Sequence, residues 1–193
     1  MQKYFIDANE LLSDSFTLAK DIVKSNFRPD FVIGVWRGGT PTGIAIQEYL
    51  SLAGIKCDHA AIRAASYYGI NQQNKEVKVF GLDYVVQQLT TQDKLLIVDD
   101  VFDTGRSIEA IIQALHHACG KQVPLTIKVA CPWFKPKRNI TKRVPDFFLH
   151  ETNDWLVFPH ELEGLSLDEI RTGKGEHIAA LCRDMPPFNE GLS

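Results

Sequence analysis

The residues best suited to chemistry lie between positions 95 and 107, which read LLIVDDVFDTGRS. An apolar run leads into two adjacent carboxylates, Asp99 and Asp100, and predicts a buried strand over 94–99. Neighbouring strand residues point to opposite faces, so one core partner cannot satisfy both acids. We therefore expect the pair at the exposed strand end, where carboxylates can hold sugar hydroxyls or a hydrated magnesium ion.

The following residues lead into a predicted helix and are typical of a phosphate site; they are Asp103, Thr104, Gly105, Arg106 and Ser107. Backbone N–H groups at a helix N-terminus, together with the helix dipole, bind phosphate. Thr104 and Ser107 add hydroxyl donors, and Gly105 lets a ligand approach the backbone. Acids beside such a cradle are the parts needed to hold a phosphorylated ribose. The pattern GxxxxGK[ST] does not occur here, so the cradle is not a P-loop.

A plainer interpretation of the same residues is structural. Asp99 and Asp100 would then be a solvated strand end, and Asp103 would cap the helix. A lone pair of aspartates favours this interpretation, whereas the whole strand, turn and helix pattern favours the phosphate site.

A second loop with capacity for chemistry follows the apolar run 31–36. Arg37 offers a fixed positive charge, and Gly38 and Gly39 expose backbone N–H groups, which together suit a diphosphate. An ordinary strand-to-helix turn would have the same glycines.

The elements that must position these loops alternate along the chain. Apolar periodicity predicts helices over 8–26, 41–53, from about 106 to Gly120, and near 167–183. Apolar runs predict strands at 31–36, 57–64, 77–80, 94–99, 126–131, 147–149 and 156–158, with a polar loop over 66–78. This order predicts an α/β fold with a mostly parallel sheet flanked by helices, in which ligands bind at the carboxyl ends of the strands.

Composition bounds the remaining possibilities. The chain has 193 residues, enough for one domain, and a net charge of −3, which argues against a domain that coats nucleic acid. No apolar run approaches 18 residues, so no membrane span is expected. The four cysteines form no CxxC pair, which favours reduced thiols in a cytoplasmic protein.

Segment 95–107 resembles the phosphoribosyl pyrophosphate (PRPP) motif of type I phosphoribosyltransferases in its length, acid pair, DTG turn and following helix. The resemblance covers roughly residues 30–161. It implies that the ribose phosphate is held by Asp99, Asp100, Asp103, Thr104, Gly105, Arg106 and Ser107. It further implies Mg²⁺ at Asp99 and Asp100, and a catalytic Asp103 near N7 of the base.

Two other loops resemble parts of the same family. Arg37, Gly38 and Gly39 resemble its pyrophosphate loop, in which a non-proline cis peptide often occurs; we expect it at Trp36–Arg37. Ser66 and Tyr67 resemble the loop that closes over PRPP in purine-using members, although Ala65 stands where those members commonly have a second serine or another small residue. A mere surface loop is the alternative for this segment.

The base-binding region resembles that of hypoxanthine, guanine and xanthine phosphoribosyltransferases. Lys135 is followed 20 residues later by Trp155, matching a lysine that donates to the 6-oxo group and an aromatic residue that stacks on the purine. Leu156 would contribute to base binding, and Glu161 stands where the xanthine-guanine branch has an acid that can ligate a second magnesium. The choice among the three bases would rest on backbone groups near Leu156 and Phe158.

The resemblance therefore implies a purine salvage transferase that converts a 6-oxopurine and PRPP to the purine 5′-monophosphate and pyrophosphate. It implies one domain over 1–193, with a core over about 30–134 and a hood with a C-terminal extension over about 135–193. It also implies a homo-oligomer, a dimer or tetramer, for which an apolar patch on the helix at 41–53 could serve. Residues after 162 match no part of the family pattern.

Two rival functions stay open at this point. A PRPP-sensing regulator on the same fold would bind nucleic acid, and KPKRNITKR at 135–143 is the one basic cluster; we interpret it as a base-site lysine followed by a solvated loop. A transferase for a different base is the other rival, and the spacing from Lys135 to Trp155 argues against it.

Overall fold

The computed structural model describes residues 3–68 and 75–183. Its strands are β1 (Lys3–Phe5), β2 (Phe31–Trp36), β3 (Asp58–Tyr68), β4 (Lys75–Phe80), β5 (Lys94–Val98), β6 (Val101–Phe102), β7 (Thr126–Ala130), β8 (Trp133–Phe134), β9 (His150–Glu151) and β10 (Trp155–Val157). Its α-helices are α1 (Ala8–Lys24), α2 (Gly39–Leu52), α3 (Leu82–Gln88), α4 (Arg106–Cys119), α5 (Leu167–Lys174) and α6 (Glu176–Arg183).

The chain divides into two compact units. One unit comprises residues 9–153, and the other combines the N-terminal residues 1–8 with residues 154–193. The single domain with its core over about 30–134 stays a prediction beside this division.

A five-stranded sheet in the order β4-β3-β2-β5-β7 forms the centre of the larger unit. Strands β3, β2, β5 and β7 are parallel, and only the edge pair of β3 and β4 is antiparallel among the described strands. The mostly parallel α/β fold is therefore confirmed. A smaller sheet has the strand order β6-β8-β9, and its strands β6 and β8 follow β5 and β7 along the chain.

The two faces of the large sheet bury different helices, because side chains alternate along each strand. On one face, Ile33 and Ile97 pack with Ile111 of α4 and Val85 of α3. On the opposite face, Val32, Leu96 and Val98 pack with residues of α1 and α2, including Ile22 and Ile46. Both faces of β2 and β5 are thus covered, which accounts for their unbroken apolar runs.

The predicted loop over 66–78 is wrong at both of its ends. Strand β3 continues to Tyr68, so Ser66 and Tyr67 lie on a strand, opposite Val77 and Glu76 of the antiparallel β4. The polar composition indicated a loop, but backbone pairing at a sheet edge does not require apolar side chains. Positions 69–74 of the predicted loop lie outside the described residues.

Other predicted elements differ in detail. The predicted strand 147–149 is reduced to a single bridge between Ala130 and Phe147, and the pairing strand is β9, immediately after it. The predicted helix 167–183 is two helices, because Gly175 between α5 and α6 has a φ of 94°. Strand β1 and helix α3 were not predicted, since both are short. The proline-containing tail, 184–193, lies outside the described residues.

In the smaller unit, β1 pairs in parallel with β10 and places Lys3 opposite Trp155. The ring of Phe5 lies where a Cβ on Gly173 of α5 would be, so this glycine permits close packing between β1 and α5. Among the described residues, no helix is long and apolar enough to cross a membrane.

Candidate active site

The two adjacent acids lie in the turn that follows β5, because the strand ends at Val98, one residue earlier than the sequence predicted. The Asp99 N–H donates to the Ala130 carbonyl at 3.1 Å, which ties the turn to β7. The side chains brace the turn in sequence: the Asp100 N–H donates to Asp99 Oδ1 at 3.0 Å, and the Val101 N–H donates to Asp100 Oδ1 at 2.8 Å.

Burial raises the pKa of the Asp99 carboxyl well above its ordinary value, and the neighbouring Asp100 raises it further. The protein thus keeps two carboxylates close together where solvent stabilises their charge poorly. Hard carboxylate oxygens of this kind suit Mg²⁺, which commonly takes one or two protein carboxylates and completes its shell with water and substrate oxygens. No group of three or more potential metal ligands occurs among the described residues.

The phosphate cradle predicted at 103–107 forms the turn between β6 and α4. Gly105 is the N-cap of α4, with a φ of 80°, and the Arg106 N–H in the first turn donates to Thr104 Oγ1 at 3.4 Å. Asp103 is therefore not the N-cap, contrary to the plainer interpretation. A Cβ on Gly105 would lie 2.5 Å from Thr141 Oγ1 and 2.9 Å from Phe102 Cε1, so both conformation and space require glycine.

A small cavity of about 70 Å³ opens in front of this turn. It is lined by Asp99, Val101, Phe102, Asp103, Thr104, Gly105, Ser107 and Ile108. The structure thus brings most of the predicted ribose-phosphate residues around one space. A larger cavity of about 310 Å³ lies between α2 and strands β2 and β3, and none of the predicted site residues lines it. We place the candidate site at the smaller cavity because the convergent acids and the helix N-terminus are there.

Lys135 is buried, and its Nζ lies 3.6 Å from Asp103 Oδ2. A second cation that the sequence analysis did not assign, Arg138, places its Nε 2.6 Å from Asp103 Oδ1. The only signal for Arg138 was its place in the basic cluster, which was interpreted as a solvated loop after Lys135. Asp103 therefore stands between two cations, and the Lys135 N–H anchors this segment by donating to the Phe102 carbonyl at 2.9 Å.

The rest of that basic segment also packs on the candidate site. The Ile140 N–H donates to the Thr104 carbonyl at 3.2 Å, and Thr141 donates to Asn139 Oδ1 through both its N–H and its hydroxyl, at 2.9 Å each. These contacts hold Thr141 and Asn139 against Gly105. Residues 136–138 and Ile140 are exposed, as expected for a solvated loop, but Asn139 and Thr141 pack against Gly105, and local charge does not reveal such a long-range contact.

The predicted pyrophosphate loop lies directly against the acid turn. The Trp36–Arg37 peptide is cis, as predicted. A Cβ on Gly38 would collide with the Asp100 carboxylate, and one on Gly39 would lie 2.6 Å from the Asp99 Cα. The two glycines thus allow the ends of β2 and β5 to approach each other, and Arg37 is exposed beside them.

The predicted lid residues lie further along the sheet. Trp36, the last residue of β2, is opposite Arg63 of β3, so Ser66 and Tyr67 extend past the carboxyl end of β2. The role of these two residues as a lid stays a prediction.

In the smaller unit, the predicted base-binding residues lie on and after β10. Trp155 is 55% exposed, whereas Leu156 is 6% exposed, so Leu156 can offer a ligand its backbone rather than its side chain. Glu161 Oε2 accepts a hydrogen bond from the Phe158 N–H at 3.0 Å, which closes a turn after the strand.

Comparison with known proteins agrees with this fold. Residues 6–166 match the phosphoribosyl transferase domain family. The hypoxanthine-guanine phosphoribosyltransferase of Lactococcus lactis is 24% identical over 148 residues, which are 76% of this chain and 75% of that protein. The purine phosphoribosyltransferase of Pyrococcus horikoshii is 28% identical, with a TM-score of 0.68 over 86% of this chain and 99% of that one.

A third protein is similar in fold: the xanthine-guanine-hypoxanthine phosphoribosyltransferase of Helicobacter pylori, with a TM-score of 0.63, 23% identity and coverage of 89% of this chain and 99% of that one. The mostly parallel sheet flanked by helices has the type I phosphoribosyltransferase fold. The chain belongs to the phosphoribosyl transferase domain family, and the protein is a glycosyltransferase enzyme of the pentosyl-transferring class.

Proposed function

We propose that the protein is a purine phosphoribosyltransferase that joins a 6-oxopurine to PRPP and forms the purine 5′-monophosphate and pyrophosphate. The observation that carries the proposal is that Asp103 lines one cavity with Asp99, Thr104 and Ser107 and lies 3.6 Å from Lys135 Nζ. The purine phosphoribosyltransferases among its relatives support the same substrate class.

The 5′-phosphate of PRPP would occupy the cradle at 103–107, where backbone N–H groups and the hydroxyls of Thr104 and Ser107 face it. Arg37, Gly38 and Gly39 would bind the pyrophosphate. Arg106 would add positive charge beside the 5′-phosphate. These groups hold both ends of the sugar, which fixes C1 in place for the incoming base.

Positive charge develops on the ribose ring as its bond to pyrophosphate breaks. The carboxylates of Asp99 and Asp100 would stabilise that charge electrostatically, and the burial of Asp99 would strengthen the effect. Mg²⁺, the metal that the family uses with PRPP, would be held by these two acids and would make pyrophosphate a better leaving group. Glu161 is the proposed ligand for a second ion.

Asp103 would accept or share the proton that the purine loses during bond formation, which is general base catalysis. Lys135 would donate a hydrogen bond to the 6-oxo group of the base. An ammonium group has donors and no acceptor, so it favours a 6-oxopurine over the 6-amino group of adenine. Trp155 would stack on the purine ring, and Leu156 would contribute its backbone.

Three further expectations belong to the same proposal. Ser66 and Tyr67 would form part of a lid over PRPP, which excludes water while the sugar cation forms. The protein would act as a dimer or tetramer, without nucleic acid as a partner. Its cytoplasmic location, expected from the cysteines, stays a prediction.

Pyrophosphate release tests the proposal directly. The protein is incubated with PRPP and magnesium, and hypoxanthine, guanine, xanthine, adenine and uracil are added in turn. We expect release with one or more oxopurines and little with adenine or uracil. Binding of PRPP without release for any base would instead indicate the regulator, and release with uracil alone would indicate a different transferase.

The same assay with the variant Lys135→Ala tests the role of Lys135 in recognising the base. Since Lys135 is proposed to recognise the 6-oxo group, the variant should lose discrimination between hypoxanthine and adenine by about tenfold or more, with a smaller change in the KM for PRPP. Lys137→Ala, an exposed lysine two residues away, is the matched control. A fall in PRPP affinity with unchanged base choice would contradict the role given to Lys135.

A further inference from the structure

Two cations reach the Asp103 carboxylate from the first and last residues of one short turn. The Arg138 N–H donates to the Lys135 carbonyl at 3.0 Å, which closes residues 135–138 into a turn, here called the Lys135 turn. Pro136 is its second residue, a position at which the fixed φ of proline favours a β-turn. The backbone of the turn therefore keeps Lys135 and Arg138 close to each other, with both side chains at Asp103.

The two cations lie at different oxygens of this carboxylate. Arg138 Nε is 2.6 Å from Oδ1, whereas Lys135 Nζ is 3.6 Å from Oδ2. A separation of 3.6 Å is too long for a hydrogen bond, so Lys135 attracts Asp103 without fixing the direction in which its carboxylate points. The closer contact, from Arg138, is the one that can fix it.

Solvent does not reach Oδ1 of Asp103, and no described group donates a well-aligned hydrogen bond to it. A buried carboxylate oxygen without compensation is costly, so the charge of Arg138 at 2.6 Å is what compensates it. The side chain as a whole is 31% exposed and lines the cavity of about 70 Å³. A ligand in that cavity therefore meets the carboxylate from the side away from Oδ1.

The proposed reaction places a demand on Lys135 that Arg138 does not share. While the ammonium group of Lys135 donates to the 6-oxo group of the base, it is less available to Asp103. The terminal torsion of an aspartate has a broad energy minimum, so a carboxylate without a close partner turns easily. Arg138 supplies that partner throughout the reaction.

We propose that Arg138 is a positioning residue, which holds Asp103 by Oδ1 and thereby keeps Oδ2 directed toward the proton that the purine loses. The inference rests on the proposed purine phosphoribosyltransferase function, in which Asp103 accepts or shares that proton. Arg138 acts through Asp103, so it is not itself a catalytic residue.

A contribution to stability does not account for this ion pair. The Arg138 side chain is 46% exposed, and ion pairs open to solvent contribute little to the free energy of unfolding. Arg138→Met keeps most of the apolar stem and removes the charge, so its Tm should stay close to that of the wild type. Arg138→Lys keeps the charge but loses the planar guanidinium group.

Steady-state kinetics with PRPP, magnesium and hypoxanthine test the inference. We expect Arg138→Met to lower kcat about tenfold or more, with the KM for PRPP within about twofold of the wild-type value, because a displaced catalytic group slows the chemical step. Arg138→Lys should recover part of the lost kcat. Lys137→Met, which removes an exposed cation from the same turn, is the matched control and should leave both constants unchanged.

A double-mutant cycle separates positioning from support of the fold. Asparagine at position 103 cannot accept the proton, so adding Arg138→Met to Asp103→Asn should lower kcat by less than about twofold further. Equal losses of kcat in the two backgrounds, together with a lower Tm, would show that Arg138 only supports the fold and would overturn the inference. A higher kcat in Arg138→Met would also overturn it, because Arg138 would then obstruct Asp103.

The ¹H–¹⁵N signal of the Arg138 Nε–H reports on the ion pair without turnover. The signal is identified by its loss in Arg138→Met, and it should move in Asp103→Asn and stay in place in Lys137→Met. An unmoved signal in Asp103→Asn would overturn the inference.

The two proposals fail in different ways. Pyrophosphate release by the wild type with an unchanged kcat in Arg138→Met would overturn the role of Arg138 alone. A wild type that releases no pyrophosphate with any base would overturn the proposed reaction and the catalytic purpose of the ion pair, and the Nε–H signal would then decide whether Arg138 holds Asp103.

Discussion

At the scale of single residues, the acids of the candidate site differ in what balances their negative charge. Asp99 and Asp100 are close together, and burial raises the pKa of Asp99. Asp103, by contrast, lies within 3.6 Å of Lys135 and 2.6 Å of Arg138. The charge of the Asp99–Asp100 pair is therefore left to be balanced by a bound cation, whereas the charge of Asp103 is already balanced by Lys135 and Arg138. This difference suits a divided role, in which the first pair serves the charged sugar and Asp103 serves the base.

Asp103→Asn tests the catalytic part of that division. The amide is similar in shape but cannot accept a proton, so turnover should fall at least about a hundredfold. Binding of the nucleotide product, measured by calorimetry, should remain largely intact because the cradle is unchanged. Arg106→Lys is the contrasting variant, since it should weaken the affinity for the phosphate-bearing ligand instead. Near-normal turnover in Asp103→Asn would remove Asp103 from the catalytic role.

Asp99→Asn should change the pH dependence of stability and the binding of PRPP in different ways. The pKa of Asp99 is raised in the folded state. The contribution of the Asp99 carboxyl to stability is therefore complete at a pH below its pKa in the unfolded chain, and it is lost as the pH rises through its pKa in the folded protein. In the absence of magnesium, the free energy of unfolding of the wild type should therefore decrease across that range, and Asp99→Asn should flatten the decrease. Urea denaturation at several pH values measures this, with exposed Asp21→Asn as control.

The same Asp99→Asn variant should bind PRPP with magnesium more weakly. A variant that is less stable than the wild type at neutral pH, or that binds PRPP normally, would contradict the account of the acidic turn.

At the scale of elements, the site depends on two strand-to-helix turns that approach each other closely. The β2-to-α2 turn carries Gly38 and Gly39 against the acids, and the β6-to-α4 turn carries Gly105 against Thr141. Neither contact is visible in the local pattern of hydrophobic residues. The segment 136–141, which was expected to be a solvated loop, supplies the surface against which Gly105 is packed.

Gly105→Ala should lower the free energy of unfolding by more than backbone strain alone would. Alanine at a φ of 80° is strained, and its Cβ would also meet Thr141 and Phe102. We expect a loss of more than about 1 kcal/mol in unfolding free energy, together with weaker binding of PRPP. Gly54→Ala is the matched control, because Gly54 has a φ of 76° with no atom within 4 Å of the added Cβ. Equal Tm losses in the two variants would show that the packing around Gly105 is unimportant.

At the scale of the whole molecule, one exposed apolar surface on α2 awaits an explanation. Ile44 is 61% exposed and Leu52 is 85% exposed, and Ile44 also lines the cavity of about 310 Å³. Large exposed aliphatic side chains beside an open cavity are typical of a surface that contacts another chain.

We expect the protein to form a dimer or tetramer in solution, with Ile44 in the contact. Light scattering after size-exclusion chromatography should give a multiple of 21.7 kDa for the wild type and a smaller mass for Ile44→Lys. Lys20→Glu, an exposed change on α1, should not alter the mass. A wild type that is monomeric at micromolar concentrations would contradict the oligomer.

The sequence by itself determined the order of the main strands and helices, the parallel arrangement and the place of the acidic turn, because buried strands and motif turns are local patterns of residue type. It placed Asp99, Asp100 and residues 103–107 next to each other along the chain, whereas the cis peptide at Trp36–Arg37 was expected only from the resemblance to the family. Only the tertiary structure decided that Arg138 pairs with Asp103, that Ser66 lies on a strand and that Lys174 donates to the Phe158 carbonyl. These features join residues distant in sequence or depend on backbone pairing, and neither composition nor periodicity records which distant groups will meet.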